Sequence, residues 1–387
     1  MADPYGMLAE IREATPAFAI ENNGYRMWAI TRYHDVRKVL ADPTVLRDLV
    51  ENRHAINSHC IVRQVPRAHL PHGSRRSFFD RDGENHHRLR SLVGNVFTPV
   101  RLAQLQPRVE RLANELADTL PVGEPVDLAA AFARPIAGTI ICELLGIPPN
   151  EQNMLAASES EMITSPIISE IEKAVGELHV FATNLATAKR ERPGDDLSTR
   201  LLHLHEDAKM TEDELISTYI LLMVGGMEPS SAIGNGAFAL LTNPGELAKV
   251  LTDPELFTDC VDEIVRYESP FRFVPPRYTT AAVELDGVTI PAGELLLISL
   301  AAANRDPARF GEPDVFDIER NTTGHLGFGH GVHRCLGSEL GKIEAATALR
   351  TLFQRFPGTR LIDPPEQARW RPGKFMRRLD ALPVVLQ

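Results

Sequence analysis

Cysteine is scarce in this chain. Its 387 residues hold four, at 60, 142, 260 and 335, and no two stand at CxxC spacing. That argues against a disulfide framework and a zinc knuckle. Long apolar runs are missing too: none approaches the roughly 20 residues needed to span a bilayer. The opening MADPYGMLAEIREATP has no apolar stretch flanked by basic residues, so it reads as neither signal peptide nor anchor. Basic charge is in deficit, with 41 Lys and Arg against 52 Asp and Glu and a net charge of -11. Nucleic acid and anionic membranes are poor partners for such a surface. No Gly/Ser tract, charge block, repeat or low-complexity stretch divides the chain. These absences predict one cytoplasmic domain over residues 1–387.

Helical periodicity dominates what is present. Residues 82–119 read as helix interrupted at Thr98-Pro99. Residues 126–145, 148–162 and 254–268 read as further helices, and 170–190 as a long amphipathic one stopped at Pro193-Gly194. Residues 211–242 form one long apolar segment with little polar striping, which predicts burial on most sides. Residues 336–356 give a final helix. Residues 25–42 read as strand, turn and helix, 271–300 as β-hairpins, and 370–387 as a short hairpin. The expected fold is mainly α with small β-sheet portions drawn from both ends of the chain.

The most informative stretch runs from Phe328 through Gly329, Gly331, His333 and Cys335 to Gly337. Glycines allow a tight turn around one cysteine, and a helix begins directly after it. A helix N-terminus and converging N–H groups stabilise a thiolate. A thiolate held this way can serve as an axial iron ligand. The bland alternative is a Gly-rich turn around a buried free cysteine.

The run F-G-x-G-x-H-x-C-x-G resembles the haem-binding signature of the cytochrome P450 family, with every position filled. The resemblance implies a triangular prism with haem b between a long central helix and the cysteine loop. Cys335 would bind the iron, and Phe328 would shield the macrocycle. Glu263-Ile264-Val265-Arg266 resembles the family's ExxR element, whose buried ion pair is architectural. His86 and Arg90 stand at i and i+4 on one helical face. With Arg277 and His333 they match family positions that contact the haem propionates, although a surface salt bridge would explain each one alone.

Gly225-Gly226-Met227-Glu228-Pro229-Ser230-Ser231 resembles the family's oxygen-activating segment, usually A/G-G-x-D/E-T-T. Glu228 fills the acidic position, but Pro229 replaces a threonine. Proline lacks the N–H that would bond the Gly225 carbonyl and clashes with that carbonyl. The expected kink would free the carbonyl while the hydroxyl is lost. Protons would then come from Glu228 through water, from Ser230 if the kink turns it inward, or from a substrate hydroxyl. Proline that merely kinks a helix is the alternative.

The resemblance also nominates Leu221, Val224, Val274, Phe375 and Met376 as apolar pocket lining; ordinary core packing is the competing reading for each. Residues 51–81 are basic, with Arg53, Arg63, Arg67, Arg75, Arg76 and Arg81. They suit a solvated loop, or a lid favouring a carboxylate substrate or an acidic carrier protein that presents one; Arg272 points the same way. Arg334, Lys342 and Arg350 would form a local basic patch for a ferredoxin served by a ferredoxin reductase. The implied activity is insertion of one oxygen atom into a small organic substrate, as in bacterial polyketide or peptide antibiotic biosynthesis. The rivals are a peroxide-driven or radical-coupling enzyme, suggested by Pro229, and a non-catalytic haem carrier or gas sensor.

Overall fold

The computed structural model describes residues 4–387 apart from 23, 49–50, 53–58, 60–74, 96, 166, 208, 372 and 374. Among these, the helices are α1 (Tyr5–Ala14), α2 (Tyr33–Ala41), α3 (Gly83–Gly94), α4 (Pro99–Thr119), α5 (Arg134–Leu145), α6 (Gln152–Thr164), α7 (Ile168–Glu191), α8 (Leu197–Glu206), α9 (Glu212–Gly226), α10 (Pro229–Thr242), α11 (Pro244–Thr252), α12 (Leu256–Tyr267), α13 (Leu300–Asn304) and α14 (Ser338–Arg355). The strands are β1 (Ala17–Asn22), β2 (Tyr25–Ile30), β3 (Val45–Leu46), β4 (Pro125–Asp127), β5 (Arg277–Thr279), β6 (Val283–Leu285), β7 (Val288–Ile290), β8 (Leu295–Ile298), β9 (Arg360–Leu361) and β10 (Pro383–Val385).

One sheet has the order β1-β2-β8-β5-β3, with β2 and β8 parallel and the other pairs antiparallel. The second has the order β4-β10-β9 and is antiparallel throughout. The helices hold two apolar cores. One is built from α4, α5, α10, α12 and α14 around Phe132, Phe257 and Phe353. The other is built from α3, α5, α7, α8 and α9 around Leu89, Leu178 and Tyr219.

The apolar segment predicted as one helix is two. Thr211 caps α9 reciprocally with Glu214: its hydroxyl accepts the Glu214 N–H at 3.2 Å, while the Glu214 carboxylate accepts the Thr211 N–H at 2.9 Å. Pro229 then breaks the ladder. Gly225 loses its i+4 donor, and its carbonyl accepts the Glu228 N–H at 3.4 Å instead. Met227 N–H likewise bonds the Val224 carbonyl at 3.3 Å, the tighter i,i+3 pattern. The expected free carbonyl therefore keeps a long bond. Gly226 is obligatory for packing, because a Cβ there would overlap the Ile141 side chain of α5.

Three other readings shift. Residues 126–145 begin with strand β4 and a π-helical turn, Ala129–Ala133, before α5 starts. The region 271–300 holds one hairpin, β6–β7; β5 and β8 flank it and pair with each other. The tail 370–387 turns back on itself at the Trp370–Leu379 bridge, where the Arg371 N–H bonds the Arg378 carbonyl at 2.9 Å, but its last strand pairs with the distant β4 and β9. Periodicity in a short apolar run carries no information about which remote strand will complete it.

Candidate active site

The cysteine loop is shaped by two glycines in the left-handed region, Gly329 at φ +74° and Gly331 at φ +73°. Gly331 also lies so close to the Leu40 carbonyl that a Cβ would overlap it. The Cys335 N–H closes the loop on the Phe328 carbonyl at 2.8 Å. Gly337 has an ordinary φ of -89° and caps α14, so it contributes no special turn. Its N–H instead bonds the cysteine sulfur.

Cys335 is accessible yet surrounded by protein, as a side chain lining an internal space must be. Burial pushes its thiol up, against the Gly337 N–H and then the cations Arg334 and Arg90. The N–H and helix-terminus effect expected to favour the thiolate is therefore present but outweighed in the protein alone. A metal ion held by the sulfur would invert that balance, because a coordinating thiol is deprotonated outright. Gly225 shows the same kind of space. It is exposed between the buried Met223 and Met227, and a Cβ on it would meet nothing within 4 Å. The helix that follows the cysteine loop, α14, meets the start of α10 where Gly341 faces the Pro229 ring, with 3.8 Å from an ideal Cβ to Cγ.

Beside the cysteine loop, buried basic side chains gather with unpartnered nitrogens. His86 on α3 is 1% exposed, and neither ring nitrogen has a partner. Its ring lies 4.3 Å from that of His333, centroid to centroid. His333 Nε2 is 3.5 Å from Asp82, while its Nδ1 is unpartnered. Arg277 on β5 is buried with its Nε unpartnered. Burial drives all three down: His86 to about 4, with help from His333 and Arg90; Arg277 to about 10; and His333 against the pull of Asp82. Arg90 is half-buried and donates to the Arg334 carbonyl at 2.7 Å.

Sequence reasoning missed a fifth member, Arg47. It is 3% exposed, and its Nε and Nη1 are unpartnered. Burial, then Arg277, pushes it down to about 9. Unpaired buried charge is costly, so the cluster is built for anions. Its donors fit a pair of carboxylates such as the propionates of haem.

On the opposite side, Glu228 is buried, with Oε2 accepting from Ser231 Oγ at 3.1 Å and Oε1 unpartnered. Burial, then Glu159, pushes its carboxyl up to about 8. Ser230 is not free as a donor: its hydroxyl bonds back to the Met227 carbonyl at 2.7 Å. The hydroxyl beside the acid is that of Ser231. Glu263 and Arg266 are fully buried and form a bidentate pair at 2.6 and 2.8 Å. Arg266 also donates to the carbonyls of Asn304, Pro313 and Val315, tying α12 to the segment that leads into the cysteine loop.

The family model for cytochrome P450 matches residues 149–369. The cytochrome P450 107B1 of Saccharopolyspora erythraea is 37% identical over 99% of this chain and 95% of its own. The mycinamicin IV hydroxylase/epoxidase of Micromonospora griseorubida is 35% identical over 98% and 95%. The chain belongs to the cytochrome P450 family. The tirandamycin C-bound P450 monooxygenase TamI superposes with a TM-score of 0.92 at 34% identity, covering 100% of this chain and 98% of that one. This P450 is thus a haem-binding monooxygenase with the mainly helical P450 fold.

The pocket residues nominated for this P450 divide. Leu221 and Val224 are half-buried on α9, the helix that also carries Gly225. Val274 is 9% exposed and Met376 3%, so both are packed as core, and Met376 bridges Phe271. Phe375 is half-buried, and its carbonyl accepts the Arg272 N–H at 2.7 Å. Arg272 donates to the Gly373 carbonyl, its buried Nε is unpartnered, and burial and then Arg377 lower it.

Of the basic segment, Arg53, Arg63 and Arg67 lie outside the described residues. Arg75 pairs with Asp80 at 3.5 Å, Arg76 with Glu51 at 3.4 Å, and Arg81 with Asp48 at 2.7 Å. The described part is therefore locally neutralised. On the sulfur side, Lys342 is held by Asp262 at 2.8 Å and Arg350 lies 4.0 Å from Glu110, which leaves Arg334 as the exposed cation of the expected patch. No described helix is long and apolar enough to cross a membrane.

Proposed function

We propose that this P450 hydroxylates or epoxidises a small organic molecule in bacterial polyketide or peptide antibiotic biosynthesis, with Cys335 as its iron ligand and a ferredoxin with its reductase as electron source. One observation carries the assignment of the site: Arg47, Arg277 and His86 are buried with unpartnered ring or guanidinium nitrogens, beside the unpartnered Nδ1 of His333, around a lone cysteine in a glycine-shaped loop.

Haem, when bound, supplies the oxygen chemistry, consuming two electrons and two protons and placing one oxygen atom on the substrate. The chain's residues do the rest. Cys335 gives its sulfur, and the Gly337 N–H fixes it. Arg47, Arg277, His86 and His333 receive the propionates, with Arg90 guarding the sulfur side. Phe328 shields the macrocycle, with Lys342 5.7 Å above its ring. Gly225 leaves open space, and Leu221 and Val224 give it apolar walls. Glu228 holds a proton near neutral pH, and Ser231 holds its Oε2 while Oε1 stays unpartnered. Glu228 rather than Ser230 is the proton source.

A peroxide-driven reaction is the second reading. It is favoured by Pro229 and by the turning of the Ser230 hydroxyl onto the Met227 carbonyl. The test is direct. The purified protein is reduced and treated with carbon monoxide, and a thiolate-type carbonyl spectrum is expected that Cys335→His abolishes. A carbonyl spectrum without thiolate character overturns the assignment. A library of antibiotic precursors is then screened for spectral shifts. Turnover with ferredoxin but not with peroxide alone supports the first reading over the second.

A further inference from the structure

The C-terminal tail sets two arginines side by side. Arg371 and Arg378 stand opposite each other next to the Trp370–Leu379 bridge, joined by the bond from the Arg371 N–H to the Arg378 carbonyl. Arg134, the first residue of α5, meets them at the wall of a small cavity, and Ser230, Ser231 and Gly234 of α10 line its other side. The volume is about 20 Å³. That is room for one water or one monatomic ion, and too little for sulfate, phosphate or a carboxylate.

The wall is short of negative charge. Arg378 is 8% exposed, and its Nη1 donates to Glu159 Oε1 at 3.0 Å, but its Nε and Nη2 are buried without partners. Arg371 Nε pairs with Asp380 at 3.0 Å. Arg134 lies 3.8 Å from Asp127, whose carboxylate already accepts the N–H groups of Ala129 and Leu382. None of these three carboxylates lines the cavity. Burial, and then Arg371, hold Arg134 below the ordinary arginine value.

We infer that this cavity is a halide site, in which one chloride ion held by Arg378, Arg134 and Arg371 clasps the C-terminal tail to α5 and to the start of α10.

Two costs favour an ion over a water. Buried N–H groups without acceptors are expensive, and like charges in cross-strand register repel. A water answers the spare donors of Arg378 and leaves the repulsion. A single negative charge answers both, and its bonds to guanidinium are charge-assisted. The site is apart from the cluster of Arg47, Arg277, His86 and His333, so its occupancy is independent of haem.

The test uses the haem-loaded protein in halide-free gluconate buffer, gluconate being far too large for the cavity. Exchange of gluconate for chloride at constant ionic strength should raise the urea midpoint along a saturating curve, as binding to the folded state requires. Crystals grown with bromide should show an anomalous peak in the cavity. Gly234→Ala leaves every charge in place. Gly234 is buried on α10, and a Cβ there meets nothing within 4 Å, so the methyl fits and occupies the cavity's room. This variant should fold and hold haem, yet lose both the chloride increment and the bromide peak. Arg378→Lys keeps a cation for Glu159 without the spare donors, so the chloride concentration at half effect should rise by about tenfold. A cavity that holds only water in bromide-grown crystals overturns the inference. A bromide peak with no chloride effect in solution is binding at crystal concentration only, and overturns it as well. So does a midpoint that climbs without saturating, and equally in Gly234→Ala, because that is a general salt effect.

Discussion

Arg47 faces Arg277 across an antiparallel ladder: Val45 pairs with Thr279 and Leu46 with Tyr278, so the next rung sets the two arginines opposite each other. Like charges in cross-strand register repel. Among the described residues no carboxylate lies within salt-bridge reach of either, because Asp82 is committed to the N–H groups of Arg47 and Asp48 and to His333. An arrangement that is unfavourable in the empty protein becomes favourable when an anion fills it.

Arg47→Met should therefore separate two quantities that usually move together. The apoprotein should gain roughly 1 kcal/mol of stability, since a buried unpaired charge is removed. The holoprotein should release haem about tenfold faster, since a charge-assisted bond to a propionate is lost. Denaturant unfolding of the apoprotein and haem transfer to an excess of a haem-scavenging globin measure the two. Equal transfer rates would remove Arg47 from the propionate site.

Arg266→Ala should cost about 3–5 kcal/mol, because Glu263 would be left ionised and buried. The loss reaches beyond the pair: the carbonyls of Asn304, Pro313 and Val315 lose their donor. Soluble yield and the urea midpoint of the haem-loaded protein should both fall. A double replacement, Glu263→Leu with Arg266→Met, should recover part of the stability, since only Arg320, 3.5 Å from Glu263, then loses a carboxylate, and it keeps its bonds to the Gly311, Glu312 and Val315 carbonyls.

Pro229→Thr should rejoin α9 and α10, because the restored N–H can bond the Gly225 carbonyl at i,i+4. Haem content should be unchanged, since Pro229 touches none of the buried cations. The number of electrons consumed per product formed should change by about twofold or more if a threonine hydroxyl can take over proton handling. Stoichiometry of NADPH, peroxide and product checks it.

Glu228→Gln should alter stability with a defined sign. The Glu228 carboxyl sits at about 8 in the folded chain and near the ordinary carboxylate value when unfolded. Over that window the unfolded state releases a proton that the native state keeps, so the parent loses stability as pH rises from roughly 4.5 to 8. The variant should lack that contribution. Its stability advantage over the parent should grow from pH 5 to pH 8, as read by denaturant midpoints at each pH.

The sequence carried the parts of the site that depend on short, rigid spacing. Glycines two residues apart, a histidine two before the cysteine and an i,i+3 acid–base pair are local facts, and the fold preserves them. Arg47 escaped because its meaning depends on pairing with a strand 230 residues away. The division of the central helix was half-legible. Pro229 announced a disturbance, but a kinked helix and two separate helices differ only in whether i,i+3 bonds replace the lost i,i+4 bond.

The strand β10 lies between β4 and β9, so residues 125–127 gain an edge partner only from residues 383–385. During synthesis the early strand must wait, unpaired, while some 250 residues emerge after it. Closure of that seam is therefore a late event, and a nascent chain halted before β10 should remain a substrate for chaperones even with its helices formed.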